Sequence, residues 1–168
     1  MLRLSNGVVR LLLVLNILVA LVLVGLAGLS FVFEPEVLAR LARGFSPGDA
    51  RTLLGGMRWA LLLVIPVAIA AHLVFTRLLA ILRTVAAGDP FVAANGGRLR
   101  AIGWALLAIQ LCDLLYAWVG FRTDAALGER VSGWTPGVTG WLAVLLVFVL
   151  AQVFREGAAM RDDLALTV

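Results

Sequence analysis

The 168-residue chain has no lysine, one cysteine and one histidine. A lone Cys112 excludes an intramolecular disulfide and a thiolate metal cluster. A lone His72 excludes a histidine-rich metal site. HExxH, GxSxG and a glycine-rich phosphate loop are all missing, so the common hydrolytic and nucleotide-binding chemistries have no foothold. No internal repeat or low-complexity tract breaks the chain. An enzyme is therefore not expected, nor is a bound cofactor.

Apolar residues are abundant: 62% of the chain is hydrophobic, against about 45–50% in a soluble domain. The excess is gathered into runs separated by short arginine-bearing segments. A membrane helix needs about 20 apolar residues. The pattern predicts an all-α, polytopic membrane protein in one domain, with four transmembrane helices at about 11–33, 59–79, 101–121 and 138–154. A cytoplasmic helical hairpin, about 78–102, is expected between spans 2 and 3. The formal net charge of +4 reads as arginine anchors in lipid headgroups. The bilayer is the expected partner, direct nucleic-acid binding is not expected, and self-association is compatible with the composition.

The first span is longer than a signal-peptide apolar region, so it is expected to stay. Asn16 is its strongly polar residue, and Gly25 and Gly28 leave room for close helix contact. After it, Glu34-Pro35-Glu36 opens a short amphipathic helix to Arg43, suited to the membrane surface or to packing on the span ends. Ser46-Pro47-Gly48-Asp49 reads as a turn, with the next helix beginning between Asp49 and Gly56. Pro66 lies inside the second span, where neighbouring groups compensate a kink.

The helical pattern continues beyond the second span. Leu78, Leu82 and Val85 form a stripe, with Arg83 and Thr84 facing away. Gly88 fits a helix C-cap, Asp89 an N-cap and Pro90 the first residue of the following helix. Phe91, Val92, Leu99 and Ile102 are placed to meet the first arm. Gly96-Gly97 interrupts good helix formers, which marks either close backbone approach or a bendable point.

Asp113 lies about 18 Å along the third span, near mid-membrane. An acid there costs about 2.5–3.5 kcal/mol to insert, so it should face protein or water. Gln110 and Asp113 are three apart and are expected on one face with Tyr116. This face is either a ligand or ion contact, or a hydrogen-bonded aspartate that fixes packing. His72 falls at a different depth from Asp113. By depth, Asn16, His72 and Gln152 are expected to form a polar layer. Tyr116, Trp118, Trp134 and Trp141 suit interfacial belts. Gly133, Gly137 and Gly140, around Pro136, mark tight packing or a capped loop.

Placing the N-terminus inside puts Arg3, Arg10, Arg77, Arg83, Arg98, Arg100, Arg155 and Arg161 on the inner side. Arg40, Arg43, Arg51, Arg58, Arg122 and Arg130 then lie outside. The excess of arginine favours both termini in the cytoplasm.

Two stretches are distinctive. One is Leu82-Arg83-Thr84-Val85, Gly88-Asp89-Pro90-Phe91, Asn95 and Arg98-Leu99-Arg100-Ala101-Ile102-Gly103. The other is Val153-Phe154-Arg155-Glu156-Gly157, with Asp162-Asp163 and the terminal Leu166-Thr167-Val168. Together they resemble a bacterial family of membrane proteins, domain of unknown function 2975. Gly96-Gly97 departs from the more polar, helix-forming residues usual there. The resemblance implies a four-span inner-membrane protein with cytoplasmic termini. It also implies a possible partner, a small helix-turn-helix regulator, since members are often encoded beside one. It carries no catalytic residues. The candidate docking residues are Gly88, Asp89, Pro90, Phe91, Asn95 and Arg98. The candidate intramembrane polar sites are Asn16, His72, Gln110, Asp113 and Gln152, where a small transporter or ligand-binding protein is the alternative.

Overall fold

In a computed structural model, the described residues are 2–128, 133 and 137–166, with side chains described from Ser5 to Arg161. Among them are five helices and no strand: α1 (Leu2–Val32), α2 (Glu34–Leu41), α3 (Pro47–Ala86), α4 (Ala93–Leu127) and α5 (Thr139–Leu166). All except α2 are long and apolar enough to cross a membrane. The protein is thus an all-α, multi-pass membrane protein, as its composition predicts.

Helix α3 is one continuous element of 40 residues. At 1.5 Å per residue it is about 60 Å long, roughly twice the hydrocarbon thickness. It is therefore longer than one crossing needs, and α4 returns beside it. Ser46 caps the start: its Oγ accepts from the Asp49 amide at 3.2 Å and donates to the Asp49 carboxylate at 2.7 Å. Pro47 takes the first helical position, so the helix begins ahead of the expected Asp49. Pro66 lies within α3 without ending it.

The helices pack in sequence. Helix α3 has α1 on one side and α4 on the other, α5 lies against α4, and α2 bridges α1 and α3. Among the described residues, neither α4 nor α5 approaches α1 closely. Helix α1 runs antiparallel to α3. Near its middle, Asn16 donates to the Ala68 carbonyl at 3.0 Å. Near its end, Arg58 of α3 donates to the Ser30 Oγ at 3.2 Å and the Ser30 carbonyl, pairs with Glu34 at 3.0 Å, and lies 4.0 Å over the Phe31 ring. Arg58 thus staples three elements together. In sequence it looks like one more interfacial arginine.

The buried core sits where α3, α4 and α5 meet: Ile81, Leu99, Ile102 and Ala151, flanked by Val74, Val85, Leu106, Val147 and Phe154. The first arm thus buries Ile81 most deeply, with Val85 of the expected stripe packed on the core and Leu78 and Leu82 half-buried. Helix α1 exposes most of its apolar side chains, including Leu11, Leu18, Leu21 and Val22. A Cβ at Gly25 or Gly28 would meet nothing within 4 Å, so these glycines are not contact points inside the chain. Helix α2 buries no residue. Gly140 is a true close approach, since a Cβ there would collide with Gln110, whereas Gly133 adopts a left-handed φ of 57°. Arg130, Trp134 and Pro136 lie outside the described residues.

Candidate functional site

The turn between α3 and α4 is built from two devices, one of backbone and one of side chain. Gly88 adopts φ 83°, a conformation glycine takes without a Cβ penalty. Its amide donates to the Val85 carbonyl at 3.1 Å, and the Asp89 amide donates to the Thr84 carbonyl at 3.0 Å. This is the double closure of a Schellman motif. The second device is Asn95, which is fully buried. Its Nδ2 donates to Thr84 Oγ1 and to the Pro90 carbonyl, both at 2.8 Å. Its Oδ1 accepts from Arg98 at 2.8 Å, and Arg98 also donates to the Ala80 carbonyl at 3.3 Å. One amide side chain therefore ties α3, the turn and α4 together.

That bolt moves the start of α4. The sequence predicts Asp89 as N-cap and Pro90 as the first helical residue, but Val92 is the N-cap and the helix starts at Ala93. The Pro90 carbonyl is held by Asn95, which leaves residues 89–92 as an ordered bend. Thr84, expected to face away, is turned inward by the same contact.

The bend docks on α5. The Phe91 ring lies 5.2 Å from the Phe154 ring, tilted by 32°. A Cβ on Gly157 would lie 3.1 Å from the Phe91 ring, so a side chain there would push the ring back by a few tenths of an ångström. Asp89 forms an ion pair with Arg161. One turn into α4, Gly96 packs on Arg155 and the Ala151 carbonyl, at 3.4 and 3.5 Å from its notional Cβ. The two distinctive stretches of sequence are thus in contact with each other. Phe91, Met160 and the Arg161–Asp89 pair remain exposed at the rim of this junction.

A family model described as "Protein of unknown function (DUF2975)" matches residues 11–168. The chain belongs to the DUF2975 family. No curated protein and no solved structure matches it. Both stretches that carried the resemblance fall within the matched region. In this DUF2975 chain they make one joint surface of bend and α5 extension.

The candidate intramembrane polar residues of the DUF2975 chain divide among four places. Asp113 lines a groove of about 370 Å³ between α1, α3 and α4, together with Asn16, Cys112 and Tyr116. Asn16 and His72 line a neighbouring groove on the other side of the α1–α3 contact. Gln110 does not share the Asp113 groove; it packs on Gly140 of α5. Three residues along a helix amount to about 60° of rotation, enough on α4 to face α5 with one side chain and α3 with the other. The expected Asn16–His72–Gln152 layer does not assemble. Gln152 instead contacts Arg155 and Glu156 of its own helix, and α5 is separated from α1 by α3 and α4. Among the described residues, no group of three or more His, Cys, Asp or Glu side chains could hold a metal ion.

Proposed function

We propose that the protein is a membrane-anchored interaction protein. Its hairpin bend and α5 extension together form one docking platform. The observation that supports this reading is the contact between the two family-like stretches through Phe91–Phe154, Gly157 and Asp89–Arg161. A ligand recognising that junction would read both stretches at once. The arginine excess on the hairpin side places the platform, with both termini, in the bacterial cytoplasm on this reading. The partner we propose is a small helix-turn-helix regulator, held at the membrane through Phe91, Met160 and Arg161. Asn95, being buried, would act by keeping the platform's shape.

Full-length protein in detergent, used to capture a purified helix-turn-helix protein encoded beside it, tests the proposal. Capture should fall at least about tenfold with Met160→Glu or Arg161→Glu, the loss of about 1.4 kcal/mol. Both residues are exposed, so neither change should unfold the chain. Absence of capture, or capture indifferent to both changes, contradicts the proposal.

A second reading is favoured by the Asn16–Asp113–Tyr116 groove: recognition of a small polar or cationic ligand inside the membrane. Ligand-dependent thermal stabilisation or liposome flux that survives Asp113→Asn counts against it.

A further inference from the structure

We propose that the crevice between α4 and α5, beside the hairpin, binds the headgroup of a net-anionic phospholipid. The crevice is about 270 Å³ and its lining includes Arg100, Arg155 and Gln152. Arg155 donates to the side-chain Oε1 of Gln152, and Gln152 Nε2 donates to the Glu156 carboxylate. Gln152 therefore engages the Glu156 carboxylate and orients the Arg155 guanidinium, whose other N–H groups stay available. Arg100 makes no hydrogen bond or ion pair among the described residues, although a guanidinium carries five donors. Two such forks around one cavity match a phosphate diester.

Position decides which anion. Arg100 immediately precedes the apolar run that begins at Ala101, and Arg155 immediately follows the one that ends at Phe154. Both lie where a span leaves the hydrocarbon, at headgroup level. The wall on the membrane side is apolar, made by Phe148 and Ala151. Trp104, 56% exposed, meets Phe148 edge-on at 5.4 Å and continues that wall along α4. A phosphate between the arginines thus has an apolar track beneath it for an acyl chain, which a free anion would not use.

The paired glycines fit the same site. Gly96 closes the floor by packing on Arg155 and Ala151, whereas a Cβ at Gly97 would meet nothing within 4 Å. Gly97 therefore borders the open part of the crevice, and a larger side chain there begins in open space beside the arginines. This inference does not depend on the docking proposal, because its residues and its readout are separate.

The test is lipid-dependent thermal stabilisation of the full-length protein in neutral detergent, with retained lipid measured by native mass spectrometry. Phosphatidylglycerol should stabilise the protein and stay bound, while phosphatidylcholine and inorganic phosphate should do neither. Arg100→Gln and Arg155→Gln should each weaken phosphatidylglycerol binding about fivefold, and about twenty-fivefold together. Gly97→Leu should keep the lipid-free melting temperature yet lose the lipid response. It serves as the second test if an arginine variant fails to fold. Equal responses to phosphatidylglycerol and phosphatidylcholine would overturn the proposal. So would protection by inorganic phosphate alone, which would make this a free-anion site. An undiminished phosphatidylglycerol response in Gly97→Leu would also overturn it.

Discussion

The hairpin end and the α1–α3 contact are held together by different means. At the hairpin end, α3, α4 and α5 bury Ile81, Leu99, Ile102 and Ala151, and the fully buried Asn95 bonds to three elements. Along α1, most apolar side chains stay exposed, and polar links to α3 run from Asn16 to Ala68 at mid-helix and from Arg58 to Ser30 near the end. Neighbours explain the contrast. Helix α4 is flanked by both α3 and α5, whereas α3 is the one long helix packed on α1 among the described residues. Lipid tails are as apolar as leucine, so membrane helices gain little by burying apolar side chains and rely on close packing and hydrogen bonds. A side chain enclosed by three helices therefore has packing partners that the outward side of α1 lacks.

The contrast should appear first in large-to-small substitutions. Leu99→Ala, 7% exposed in the native fold, should destabilise by about 2–5 kcal/mol. Leu21→Ala, at 65% exposure on α1, should change stability by less than about 0.5 kcal/mol. Thermal unfolding of both variants in one detergent checks this, and equal effects would erase the distinction. Asn95→Ala comes next. It removes bonds to Thr84, Pro90 and Arg98 and should cost about 1–3 kcal/mol by leaving buried partners unsatisfied. Hydrogen exchange should then rise around residues 84–98 more than in α1. Asn16→Ala removes one interhelical bond and should cost about 0.6 kcal/mol. The smallest effect belongs to Arg161→Ala, which breaks an exposed ion pair worth about 0.2–1 kcal/mol and weaker still in high salt.

Much of this organisation is visible in the residues themselves. Run length and composition reveal the four membrane-crossing helices, because hydrocarbon thickness dictates helix length. Gly88 reveals the end of α3, because few other residues adopt its φ. What stays hidden is lateral order. Depth along the spans aligned Asn16, His72 and Gln152, but depth does not say that α3 and α4 separate α1 from α5. Gln110 and Asp113 share a face in sequence, yet α4 is sandwiched, so they reach different neighbours. The start of α4 is misplaced for a related reason: Asp89-Pro90 is a good local helix start, and the Asn95 side chain overrides it. The contact of Phe91 with Phe154 and Gly157 is long-range, and only the recurrence of both stretches as distinctive motifs hinted at it. Arg58 is hidden among fourteen arginines, since nothing local distinguishes a staple from a headgroup anchor.

The central claim is that the hairpin bend and the α5 extension form one docked unit. A double-mutant cycle of Phe91→Ala and Phe154→Ala on thermal stability, in a fixed detergent, tests it most directly. The two rings are in contact at 5.2 Å, and aromatic pairs of this kind couple by about 0.5–1.5 kcal/mol. The double variant should therefore be more stable than the sum of the single effects by about that amount. Additive effects would mean that bend and α5 are not docked, and would contradict the account.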